Sequence, residues 1–106
     1  MDRTTALNAV RDNVKNENLI KHMLAAEAVM RALARRFGEN EDEWGLAGLL
    51  HDIDIELTHA DLSVHGKPGS QMARQIGAGE AVSHAILSHN EALGESCVSL
   101  MDKALF

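Results

Sequence analysis

Within LLHDIDIE, residues 49–56, an imidazole and a carboxylate stand side by side at His51 and Asp52, and Asp54 repeats the acid two residues on. Neighbours on a helix point about 100° apart, so His51 and Asp52 converge only where the helix stops. Two acids at a helix C-terminus face the negative end of the dipole and need compensation. A metal ion would supply it. A helix end decorated with ordinary polar groups is the competing reading.

The chain holds six histidines, and their positions discriminate better than their number. His22 shares a helical stripe with Ala26, Val29 and Leu33, which predicts that it faces inward. His89 is spaced from Val82, Ala85 and Ile86 so that it too points to the core side. His65 opens HGKPGS, where glycine and proline let the backbone turn sharply toward a site. His84 lies about 140° around the helix from His89 and is expected at the surface, as is His59. Buried histidines that merely bond to carbonyls would explain His22 and His89 equally well. Taken together the residues form an N/O ligand set suited to Zn, Mn, Fe, Co or Ni, one or two ions, and without the thiolates of a structural zinc site. The spacings alone leave the metal and the packing explanations both open.

The elements that must position these groups read as helices throughout. Thr4 or Thr5 is expected to cap a first helix through Val14. Leu19, Met23, Ala26, Met30, Leu33 and Phe37 recur at helical spacing, and Gly38 supplies the stop. Asn40 followed by Glu43 marks the start of a third helix ending at Leu50. Residues 54–69 read as loop. Ser70 is expected to cap a helix through Gln75, Glu80 to His89 forms another, and a last helix begins near Glu95 and runs to Phe106. Alternating strand patterns are absent. The expectation is an all-α, compact orthogonal bundle of about five to six short helices, with residues 1–106 as one domain.

Composition narrows the function classes. With 106 residues and a hydrophobic fraction of 45%, the chain suits one packed core, built from aliphatic residues since aromatics make up 3%,. One cysteine rules out an internal disulfide and fits a reducing compartment,. A net charge of −6 argues against a nucleic-acid partner,. The charged N-terminus has no apolar signal region, and no run approaches the ~20 residues of a membrane span. A cytoplasmic protein is expected.

The order His22, His51-Asp52, His65, His89 resembles the HD-domain superfamily of metal-dependent phosphohydrolases. LAGLLHDID resembles the HDIG variant, and HGKPGSQMARQIG with AILSHN resembles the stretch that follows it. The resemblance implies an all-α fold, with His22, His51 and Asp52 holding one metal and His65 and His89 a second that Asp52 bridges. Asp52 is then also the catalytic candidate and Asp54 a partner for a ligating histidine; Lys67 and Arg74, which flank His65, are candidates for phosphate oxygens, with solvated surface charge the competing reading for each. It further implies a nucleotide or other small phosphate ester as substrate. A metal-binding or regulatory module without hydrolysis is the alternative. Asp54 stands where HDIG has glycine, and Ile55 follows where the cyclic-di-GMP-degrading branch has lysine, so that branch is not expected. Relatives carry a final aspartate on a helix that MDKALF resembles, beyond the last residue here. Asp102 is the acid nearest that position, and its context fits the start of the helix. The domain is therefore expected to be incomplete at its C-terminus. An uncapped last helix also suggests a homodimer burying Leu100, Leu105 and Phe106.

Overall fold

The computed structural model describes residues 3–56, 65–90, 97 and 99–105. His59 and Glu95 lie outside the described residues, as do Phe106 and the side chain of Leu100. Six helices follow one another: α1 (Arg3–Asn13), α2 (Glu17–Phe37), α3 (Glu41–Leu50), α4 (Lys67–Gln75), α5 (Glu80–Ser88) and α6 (Leu100–Leu105). No strand occurs among the described residues, and the chain is all-α as its sequence predicts.

Each helix end has a chemical cause. Asn16 accepts from the Asn18 and Leu19 amides to start α2, and Gly38 ends it with φ 70°, a left-handed conformation that glycine adopts without strain,. Asn40 accepts from the Glu43 amide at 3.0 Å to start α3, and Glu41, Asp42 and Glu43 fill its first turn, where acids suit the dipole. Two starts differ from expectation. Thr4 and Thr5 lie inside α1 rather than capping it. Ser70 lies inside α4, which begins at Lys67. Pro68 sits in its first turn, where a missing N–H is harmless,, and Ser70 instead donates its hydroxyl to the Ser83 carbonyl, tying α4 to α5. The expected start of the last helix near Glu95 lies outside the described residues; α6 as described is preceded by Ser99. Its Oγ accepts from the Asp102 amide, and Asp102 accepts from the Ser99 amide, a reciprocal cap,.

Helix α3 is central. Trp44 to Leu50 are all buried, and α1, α2, α5 and α6 all pack on it. Its closest neighbour is α2, at 21 residues the longest of the described helices. A Cβ on Gly48 would lie 2.6 Å from the Ala26 carbonyl oxygen and 2.9 Å from the Glu27 amide nitrogen, so the two backbones meet there. The inward face of α2 is Ile20, Met23, Glu27, Met30 and Ala34. Glu27 is 4% exposed, and it is held by Arg3 at 2.7 and 2.9 Å and by Arg31 at 3.2 and 3.1 Å. Burial raises its pKa, but the two guanidiniums outweigh that and hold it below the ordinary value,. No helix among the described residues is long and apolar enough to cross a membrane.

Candidate metal centre

His51 caps the C-terminal end of α3, just after Leu50, and the chain then tightens into i→i+3 turns, with Ile53 N–H donating to the Leu50 carbonyl and Ile55 N–H to that of Asp52. This tightening lets the adjacent His51 and Asp52 side chains converge, at 3.2 Å between Nε2 and Oδ2. The remaining histidines arrive from three other places: His22 from α2, His65 from just before α4, and His89 from the end of α5.

All four converge on Asp52, and each carboxylate oxygen has its own pair. Oδ2 lies 3.2 Å from Nε2 of both His22 and His51. Oδ1 lies 2.9 Å from Nε2 of His65 and 3.5 Å from that of His89. The result is two triads of metal-ligating type sharing one carboxylate, His22–His51–Asp52 and Asp52–His65–His89, the atoms of each within 4.8 Å of one another.

The far side of three rings is fixed. His51 Nδ1–H donates to the Gly48 carbonyl at 2.6 Å, and His89 Nδ1–H donates to the Ile86 carbonyl. His65 Nδ1 lies 2.5 Å from Oδ1 of Asp54. Asp54 is fully buried, and its other oxygen accepts from the Gly66 and Gly69 amides at 2.7 and 2.9 Å. A carbonyl only accepts, so Nδ1 of His51 and of His89 carries a proton, which leaves Nε2 turned toward Asp52 as the nitrogen that a neutral imidazole would offer to a metal.

Donor chemistry shows that a cation fits. Nε2 of His65 and Nε2 of His89 face each other at 3.2 Å beside the Asp52 carboxylate, an arrangement that positive charge between them satisfies. Hydrogen bonds to Asp52 and Asp54 push His65 up to about 9 despite its burial. Burial raises the Asp52 carboxyl, but His51, His65 and His89 outweigh this and hold it far below the usual carboxylate range,. The same balance of burial against His65 and two backbone amides lowers Asp54. Nitrogen and carboxylate donors without sulfur suit Mn, Fe, Co, Ni or Zn.

Several residues lie elsewhere than their sequence positions imply. His22 does not face inward: its side chain is 55% exposed, and it reaches Asp52 over the rim of the bundle. Its supposed apolar stripe is not the buried face of α2, and Val29 in that stripe is 58% exposed. His84 is not a plain surface residue. Its Nδ1 lies 2.7 Å from Oδ2 of Asp102, joining α5 to α6. Asp102, 1% exposed, is committed to that contact and to the α6 cap, and it belongs to neither triad. Arg74 forks onto Glu80 at 2.7 and 3.1 Å on the surface, so it does not face the centre as expected. Lys67 is exposed at the first position of α4, two residues from His65. Asn90, which sequence reasoning missed, donates Nδ2–H to the His65 carbonyl at 2.9 Å; its adjacency to His89 was the available signal. Two clefts border the cluster. One, about 380 Å³, is lined by His51, Asp52, His65, His89 and Asn90 among others. The other, about 360 Å³, runs between α2 and α6 beside His22 and His51.

The HD domain family matches residues 19–104. Ribonuclease Y of Nitratidesulfovibrio vulgaris (strain DP4) is 32% identical over 76 residues, covering 72% of this chain and 15% of that protein. Ribonuclease Y of Geobacter sulfurreducens is 30% identical over 76 residues, with the same shares of 72% and 15%, and that of Chloroflexus aurantiacus is 31% identical over 74 residues, covering 70% and 14%. The chain thus spans about 15% of the length of the curated relatives it matches. No solved structure matches it significantly.

Proposed function

The chain belongs to the HD-domain family of metal-dependent hydrolases, and from that premise we propose that it hydrolyses phosphate esters at the centre built around Asp52. The observation that carries this reading is the division of labour on Asp52, whose two oxygens each face a separate pair of histidine nitrogens. His22, His51 and Asp52 would hold one divalent ion, and Asp52, His65 and His89 a second. Such ions neutralise phosphate charge and lower the pKa of a bound water toward ~7 in favourable sites.

The residues do the rest. Asp54 and the Gly48 and Ile86 carbonyls keep the rings aimed at Asp52. Asn90 holds the backbone of His65 in place. Lys67, exposed on the first turn of α4, offers a cation to a phosphate oxygen. In the net reaction the ester P–O bond breaks, a water oxygen becomes bonded to phosphorus, and the departing oxygen takes a proton.

The test is metal content by mass spectrometry, followed by assays of the protein loaded with Mn, Fe, Co, Ni or Zn. Phosphomonoesters, phosphodiesters and, because of the relatives' name, an oligoribonucleotide form the substrate panel. Hydrolysis that EDTA and His51→Ala both abolish is expected; hydrolysis that survives both refutes the reading. A second reading is a metal-binding or regulatory module without chemistry. In its favour, the described residues give each half only three ligand atoms. Stoichiometric metal with no turnover across the panel would establish it.

A further inference from the structure

The α2–α6 cleft adjoins the centre yet has a different chemical character. Ala25, Val29 and Met30 form its α2 wall, and Ala104 and Leu105 its α6 wall. Its polar side chains are His22 and His51, whose Nε2 atoms are turned toward Asp52. No Lys, Arg, Asn or Gln lines it among the described residues. The polar cleft over Asp52 shares His51 and Leu105 with it, so the two meet at the cluster.

A ligand spanning both clefts would have an anionic end at the histidines and Asp52 and an uncharged apolar end against α2 and α6. We propose that the preferred substrates are phosphate monoesters of compact apolar alcohols, with the alkyl or aryl group seated in the α2–α6 cleft. This rests on the phosphohydrolase reading above and specifies its substrate class. A second phosphate, or the edge of a base, would find no cation or side-chain amide among the described residues of that cleft to replace its hydration, and leaving such groups unpaired is costly. The volume is suitable: a dry apolar cavity of roughly 150 Å³ already takes benzene, and this cleft measures about 360 Å³. Val29, 58% exposed, and Ala25, also exposed, present apolar surface to solvent on the open wall, where a ligand would cover it.

The experiment uses the Mn(II)-loaded protein with n-alkyl phosphates from methyl to hexyl, phenyl phosphate and an oligoribonucleotide. Calorimetry with the corresponding n-alkyl phosphonates, which are not hydrolysed, provides a readout independent of turnover. Burying a methylene is expected to raise kcat/KM and phosphonate affinity roughly 4-fold per carbon until the cleft is full. Val29→Asp should abolish the dependence on chain length, and Ala25→Asp, on the same exposed wall, should do likewise. A flat wild-type series, a slope unchanged in both variants, or faster hydrolysis of the oligoribonucleotide than of hexyl phosphate overturns the proposal. If no ester is hydrolysed, the phosphonates decide separately. Length-dependent binding keeps the cleft assignment while the hydrolase reading fails, and length-independent or absent binding removes both.

Discussion

Gly48→Ala tests how the centre is held together. On helix propensity alone the change is favourable by about 1 kcal/mol. The structure predicts the reverse, because the new Cβ would sit 2.6 Å from the Ala26 carbonyl oxygen and 2.8 Å from its carbonyl carbon. Both are backbone atoms of α2 and have no rotamer by which to withdraw. Restoring an ordinary contact would move the two helices apart by about 0.8 Å, and overpacking of this kind costs about 1–3 kcal/mol. A net loss of up to about 2 kcal/mol is expected, which lowers Tm by up to roughly 10 °C. The displacement also reaches the site. His22 rides on α2 one turn before Ala26, and His51 donates to the Gly48 carbonyl itself. Metal–ligand distances tolerate about 0.2 Å, so affinity in the His22–His51–Asp52 half should fall at least about 10-fold. The assay pairs thermal melts with calorimetric titration of Mn(II) or Zn(II). Gly77→Ala is the control: φ at Gly77 is 86° with nothing within 4 Å of a new Cβ, so it should destabilise without touching the isotherm,. A Gly48→Ala protein that melts at or above wild type, or binds metal with the wild-type isotherm, would refute the reasoning.

Other perturbations separate packing from ligation. Asp54→Asn should weaken metal binding in the His65–His89 half by about 10- to 100-fold in calorimetric titrations, since His65 loses the carboxylate that orients it,. Glu27→Ala leaves Arg31 without its buried partner and should cost about 2–3 kcal/mol in urea unfolding, discounted because Arg3 is half exposed,. The folded Glu27 pKa lies below its ordinary value of 4.5. Its contribution is therefore complete above that pH and lost as pH falls through the folded value, so wild type and Glu27→Gln should converge in stability on the acid side. Ser99→Ala removes the α6 cap and should cost about 1 kcal/mol in thermal unfolding with no change in metal affinity,.

The parts of the fold legible in the sequence were those written in local chemistry. Gly38 and Asn40 mark helix ends through interactions within a few residues, and His51-Asp52 announces itself as an unfavourable helix end. The inward face of α2 was misread for a specific reason. Its true members run Ile20, Met23, Glu27, Met30, Ala34, and a reading that counts apolar residues steps over Glu27 to Ala26 and Leu33. That small rotation carried His22 inward with it. Glu27 becomes an inward residue because Arg31, one turn on, and Arg3, 24 positions away, both neutralise it, and no local pattern encodes the second of these. His84 and Asp102 are likewise 18 residues apart, so neither residue's neighbourhood betrays the contact.

The departure from HDIG at Asp54 shows how local and long-range information combine. Read alone, an aspartate in place of the glycine looks like damage to the motif. In the structure its carboxylate orients His65 and accepts the Gly66 and Gly69 amides. A Cβ on Gly69 would come within 3.2 Å of that carboxylate and 3.3 Å of the Ile53 side chain, tighter than ordinary contact. Asp54 and Gly69 therefore depend on each other across fifteen residues: the acid uses the amide that the glycine brings close, and the glycine leaves room for the acid. The altered motif thus keeps the second half of the proposed centre in register, because the carboxylate fixes His65, the one candidate ligand that stands ahead of a helix rather than within one or at its C-terminal end.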